Sequence, residues 1–134
     1  MELGLSNKVI VVSGGAKGIG FGITKVLAQE GATVCIIGRS AADNKVAVDA
    51  VLAAGGKAFG VEAELTDPND CKKAIDIVLE TFGTIDGLVN NAGVNDGVGL
   101  ENGSYEGFIA SLHKNLVHYY LLAHHALPAL KKSK

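Results

Sequence analysis

The 134-residue sequence has no tryptophan, one methionine, two prolines and two cysteines. Cys35 lies in an apolar run and Cys71 in a helical stretch. Two such cysteines make neither a disulfide framework nor a metal-ligand spacing, which points to a reducing setting. A large excess of charge of one sign is missing too: 12 Lys and Arg against 14 Asp and Glu leave a formal charge of -2. No basic run of useful length precedes Lys131-Lys132, so nothing marks nucleic acid as a partner. The first residues lack the charged-then-apolar pattern of a leader, and no apolar run reaches membrane length. The expectation is a cytoplasmic protein with no membrane partner. What is abundant is glycine, 18 residues, in a chain 48% hydrophobic and 19% charged. That balance belongs to globular proteins rather than disordered ones. The length suits one domain or less, able to bury roughly two-thirds of its unfolded surface.

The glycines are densest where the chemistry is expected. Val9-Ile10-Val11-Val12 is an unbroken apolar run with the character of a strand covered on both faces of a parallel sheet. It leads into Ser13-Gly14-Gly15-Ala16-Lys17-Gly18-Ile19-Gly20, after which a helical pattern begins. Glycines in such a loop let a phosphate approach the peptide N–H groups, and the following helix offers unpaired N–H groups and its positive dipole end. The spacing Gly14-x3-Gly18-x-Gly20 differs from the G-x-G-x-x-G of the commonest dinucleotide fingerprint. Its place at the first strand-to-helix turn is the place where such folds bind pyrophosphate. The alternative is a tight turn with no ligand.

Downstream, strands are expected over Thr33–Ile37, Lys57–Glu64 and Ile85–Val89, and helices over about 18–30, 43–54 and 68–82. Gly31 and Gly55-Gly56 act as stops, and Thr66-Asp67-Pro68 as a capped start. After Asn90-Asn91-Ala92-Gly93 comes a long glycine-rich loop over 94–103, then one helical pattern over about 105–130, with breaks expected near Gly107 or Pro128. Strands alternating with helices predict an α/β fold: a doubly wound, Rossmann-type parallel sheet of four strands plus a long C-terminal helix.

A carboxylate at the end of strand two ordinarily receives the adenosine ribose of NAD. Here that position reads Gly38-Arg39-Ser40, without an acid. Arg39 offers a planar fork suited to phosphate, and Lys17 supplies a second cation. Together they favour NADP(H), with NAD(H) as the alternative cofactor. The plainer reading is that both are solvated surface charges.

Ser13-Gly14-x3-Gly18-Ile19-Gly20, followed 70 residues later by Asn90-Asn91-Ala92-Gly93, resembles the short-chain dehydrogenase/reductase family. The resemblance implies hydride transfer between the nicotinamide of NADP (NAD possible) and an alcohol or carbonyl substrate. It implies a cofactor site of Ser13, Gly14, Lys17, Gly18, Ile19, Gly20, Arg39, Glu64, Leu65, Asn91, Ala92 and Gly93. Glu64 stands where the family usually has an aspartate near the adenine. Asn115, in Lys114-Asn115-Leu116, looks like the family's helix asparagine, which helps to hold a proton-relay water. The loop Val94–Glu101 looks like that of the sugar-oxidising members acting on L-fucose and related sugars. The family's tyrosine needs a cationic lysine to lower a phenol pKa that lies far above neutral. No Tyr-x-x-x-Lys occurs here: Ile109, Ala123 and His124 stand four residues after Tyr105, Tyr119 and Tyr120.

These departures lead to the expectation of an incomplete NAD(P)-binding domain over 1–134, the N-terminal part of a longer enzyme. By itself it would be inactive, its catalytic Ser, Tyr and Lys lying beyond Lys134. In the sheet order 3-2-1-4-5-6-7 that the resemblance implies, strand four would be an open edge. A full-length protein would form a homo-oligomer. The alternative is a non-catalytic nucleotide-binding or interaction module ending at Lys134. Other clusters are weaker. His113, His118, His124 and His125 are spread over several turns with no carboxylate among them, so no metal is expected and they read as surface or interface residues. Asp86 reads as a structural cap, and Asn95 and Asp96 as turn residues or substrate contacts.

Overall fold

β-Branched runs form the centre of the sheet and glycines mark most of its turns. The computed structural model describes residues 2–134. It contains strands β1 (Val9–Ser13), β2 (Thr33–Gly38), β3 (Lys57–Glu62) and β4 (Gly87–Val89). Between and after them lie helices α1 (Gly18–Gln29), α2 (Ala41–Ala53), α3 (Pro68–Phe82), α4 (Tyr105–Leu112) and α5 (His118–Ser133). The sheet order is β3-β2-β1-β4 and every pairing is parallel. β1 is central, its register running from Val9 opposite Thr33 to Ser13 opposite Ile37.

Alternation along β1 divides the core into two layers. Val9 and Val11 pack with Cys35, Ile37, Ile75, Val78 and Leu122 toward α3 and α5. Ile10 and Val12 pack with Val34, Ile36, Ala28, Ala47 and Val51 toward α1 and α2. Helices on both faces explain why β1 is buried throughout. Asp86, at the foot of β4, accepts a 2.8 Å hydrogen bond from Val9 N, the structural cap expected of it.

Several boundaries differ from expectation, each for a local reason. α2 begins at Ala41 rather than 43, because Ser40 is its N-cap and its hydroxyl accepts from Asp43 N at 3.1 Å. β3 ends at Glu62, and β4 is confined to three residues, all half-buried at the sheet edge. The last helix runs through both Gly107 and Pro128. Pro128 removes one rung, but buried Ala126 before it and Ala129 and Leu130 after it pack on the core shared with α3. The irregularity lies elsewhere: residues 113–117 form a π turn joining α4 to α5. Val26, Val46 and Leu52 are exposed although they sit at helical apolar spacing. The faces that α1 and α2 bury are instead the small or polar ones of Gly20, Thr24 and Ala28, and of Asn44, Ala47 and Val51.

Candidate functional site

At the C-terminal ends of the parallel strands lies an open cleft of about 870 Å³. Its floor is a clasp between the end of β1 and the segment after β4. The fully buried Ser13 hydroxyl accepts hydrogen bonds from Asn91 N at 3.0 Å and Ala92 N at 3.1 Å. Asn91 Nδ2 donates in return to the carbonyls of Ser13 at 3.2 Å and Gly14 at 3.1 Å. The two motifs of the sequence are thus one hydrogen-bonded unit. Gly20 is enclosed by it: a Cβ there would collide with the Gly14 carbonyl and with Asn91 Nδ2. Behind the loop, buried Thr24 donates to Gly15 O at 2.9 Å.

Of the expected cofactor residues, Gly14, Lys17, Ile19, Gly20, Arg39, Glu64, Leu65, Asn91, Ala92 and Gly93 all line the cleft. Ser13 lies beneath it as the clasp, and Gly18 adopts a positive φ of 56° at the turn into α1 without lining it. Asn115 is outside the lining but tied to it. Its Oδ1 accepts from Val94 N at 2.7 Å, and its Nδ2 donates to the Ser111 carbonyl at 3.1 Å. Gly93 must be a glycine for this contact, since a Cβ would approach Asn115 Oδ1 to 2.7 Å. The π turn places Asn115 at the one point where the long helix departs from α geometry.

The cleft is less cationic than the strand ends imply. Lys17 Nζ lies 3.2 Å from Asp43 Oδ2, so the expected free second cation is ion-paired, and Asp43 itself lines the cleft. A reading confined to strand ends misses it because Asp43 lies in the first turn of α2, three residues past the capping Ser40. Glu64 Oε1 accepts from Thr66 Oγ1 at 2.8 Å. Arg39 makes no ion pair among the described residues.

Two further residues stand at the site in positions that the sequence did not lead us to expect. Asn44 is 4% exposed, and its Nδ2 donates to Gly38 O at 3.0 Å and Val61 O at 3.2 Å, holding the ends of β2 and β3 together. In sequence it is one polar residue in an amphipathic helix, with no signal that it points inward. His118, expected as a surface or interface residue, is buried and borders the cleft. Its Nε2 is paired with Lys114 O at 2.8 Å, and its Nδ1 has no protein partner. The other histidines stay near the surface, with Tyr120 and His124 stacked at 5.7 Å. The buried thiols are poor nucleophiles. Burial raises Cys35 to about 12. Burial, then Asp67, Asp70 and Glu64, raises Cys71 to about 11.

A parallel β3-β2-β1-β4 sheet with a glycine loop at its central strand end defines a dinucleotide-binding α/β protein of the Rossmann type. The family follows from comparison with known proteins: the short chain dehydrogenase family matches residues 8–134, and the chain belongs to it. L-fucose dehydrogenase of Rattus norvegicus is 35% identical over 130 residues, 96% of this chain and 47% of its own length. L-sorbose reductase from Gluconobacter frateurii, solved with NADPH and L-sorbose, superposes with a TM-score of 0.92 at 26% identity. That match covers 98% of this chain and 51% of the reductase. The NADH-dependent reductase A1-R', solved with NAD, gives 0.90 at 29% identity, covering 99% and 56%. The chain spans about half the length of the curated relatives it matches. No helix among the described residues is long and apolar enough to cross a membrane.

Proposed function

We propose that the cleft binds the adenosine and pyrophosphate portion of NADP(H), as part of an oxidoreductase acting on an alcohol or carbonyl substrate, with a sugar as the favoured class. The observation that carries this reading is Arg39, a free guanidinium at the end of β2 beside a glycine loop that cannot accept a side chain at Gly20. In this reading the loop N–H groups and the start of α1 receive the pyrophosphate. Arg39 and Lys17 face the 2′-phosphate, while Glu64, Leu65, Ala92 and Gly93 border the adenine. The nicotinamide supplies hydride acceptance or donation when bound. Asn115 holds the proton-relay water, and a tyrosine, lysine and serine outside these 134 residues supply the acid/base chemistry. The whole protein is then a cytoplasmic homo-oligomer.

The test is a binding titration with NADP+ and NAD+ on the chain and on Arg39→Asp. Hydrogen bonds to charged groups contribute about 1.5–3 kcal/mol, roughly 10- to 100-fold in affinity. NADP+ is therefore expected to weaken by at least about tenfold, and NAD+ by less than about threefold. Equal effects on both would refute the cofactor assignment.

A second reading, a module that binds a nucleotide without turnover, is favoured by one observation: no Tyr-x-x-x-Lys occurs in the chain. Both readings expect no NADP+ reduction by this chain on a panel of sugars and alcohols. They part when the chain is joined to a relative's C-terminal half, where only the first expects turnover.

A further inference from the structure

We propose that Asp43 is a specificity-determining residue of the cleft, lowering its preference for a phosphate on the adenosine 2′ oxygen. The inference rests on the assignment of the cleft to adenosine binding. Lys17 and Arg39 by themselves would make a site for the doubly charged 2′-phosphate. Asp43 changes that balance in two ways. Its carboxylate already occupies Lys17 at 3.2 Å, so a phosphate must compete for the ammonium group. It also lines the same cleft as Arg39 and Ser40, which sets a like charge beside any phosphate that Arg39 receives.

Asp43 is held in that place by the backbone. Its N–H donates to the Ser40 hydroxyl at 3.1 Å, fixing it in the first turn of α2, where a carboxylate is also favoured by the helix dipole. Its side chain is 39% exposed, so the charge is screened but remains close enough to act. A cofactor lacking the 2′-phosphate meets none of this repulsion, and its ribose hydroxyls can donate to the carboxylate. The cleft therefore discriminates between the two cofactors less than its two cations alone would dictate.

The experiment is calorimetric titration of the chain, D43N and D43S with adenosine 2′,5′-bisphosphate and with 5′-AMP. Both variants keep the backbone donor to Ser40, and thermal melting verifies that they fold. Exposed charge pairs are worth up to about fivefold in affinity, so each variant should bind the bisphosphate about three- to fivefold more tightly. Affinity for 5′-AMP should not rise, and falls where its ribose hydroxyls use the carboxylate. K17A should cost more bisphosphate affinity in the D43N background than in the unaltered chain, because Lys17 is then released. Bisphosphate affinity unchanged or weakened in both variants, with 5′-AMP still bound, overturns the inference alone. Failure of both nucleotides to bind the unaltered chain overturns the adenosine assignment and this inference together.

Discussion

Ser13→Ala isolates the clasp between the two motifs. The substitution deletes one oxygen and leaves the Asn91 side-chain bonds to the Ser13 and Gly14 carbonyls in place. What it orphans is two backbone donors, Asn91 N and Ala92 N, which now share the hydroxyl. Each buried donor left unpaired costs about 1–3 kcal/mol. Both residues are half-exposed, so water can reach part of the deficit and the lower half of that range applies. The sum is about 2–4 kcal/mol. For a chain of this length 1 kcal/mol corresponds to about 3–5 °C in Tm, so S13A should melt roughly 6–20 °C lower. Circular dichroism melts read this directly. Thr24→Val is the control, removing a single bond to Gly15 O and orphaning only a carbonyl, so it should shift Tm by roughly half as much or less. An S13A melt within about 2 °C of the unaltered chain, or a larger shift for T24V, would refute the claim that the clasp holds the two motifs together.

Gly20→Ala should abolish dinucleotide binding in a titration, and it should also lower Tm, because the new methyl collides with the Gly14 carbonyl. Asn44→Leu leaves two carbonyls, of Gly38 and Val61, without its amide, and should cost about 2–3 kcal/mol in urea unfolding. Iodoacetamide at pH 8 should leave Cys35 and Cys71 unmodified in the native state and label both in urea, since both thiols are buried and their pKa values raised. The sign of the linkage is also fixed. Unfolded thiols ionise near their ordinary value of 9.0 while the folded ones remain protonated, so unfolding free energy should decline as pH rises above about 9.

Strands one and two were legible because Val9–Val12 and Thr33–Ile37 are continuous apolar runs, which only a doubly covered strand tolerates. The glycine loop was legible because so little else can sit at Gly20. Asn44 was not, because an inward-facing amide is indistinguishable in sequence from an outward one until the two strand ends it joins are adjacent. Asp43 escaped for a related reason: its effect depends on the direction that the Ser40 cap gives the first turn of α2, not on its distance from a strand. The π turn leaves no periodic signature over five residues, and a break near Gly107 or Pro128 was the expectation. His118 was read with the other histidines of the last helix as a surface or interface residue from their spacing alone, which does not show that the face it shares with Leu122 and Ala126 is buried.

The π turn connects these facts to the chemistry. A regular α-helix pairs each carbonyl with the N–H four residues on, leaving no reason for an asparagine to stand apart from the rest of the helix. The π turn widens the helix at residues 113–117, and Asn115 uses its amide to bond back to Ser111 and forward to Val94 N. Val94 directly follows Gly93, whose missing Cβ lets Asn115 approach, and Gly93 follows the two residues clasped by Ser13. The helix irregularity, the second motif and the end of β1 are therefore connected through four consecutive contacts or peptide links, Asn115 to Val94 to Gly93 to Ala92 to Ser13. A side chain added at Gly93 would separate the helix from the cleft without touching the nucleotide loop, so Gly93→Ala should lose the Asn115–Val94 contact while Ser13 and Asn91 remain paired. Amide exchange at Val94 reports the first and exchange at Asn91 the second. Faster exchange at both sites would mean that the clasp and the helix form one unit which cannot be uncoupled at Gly93.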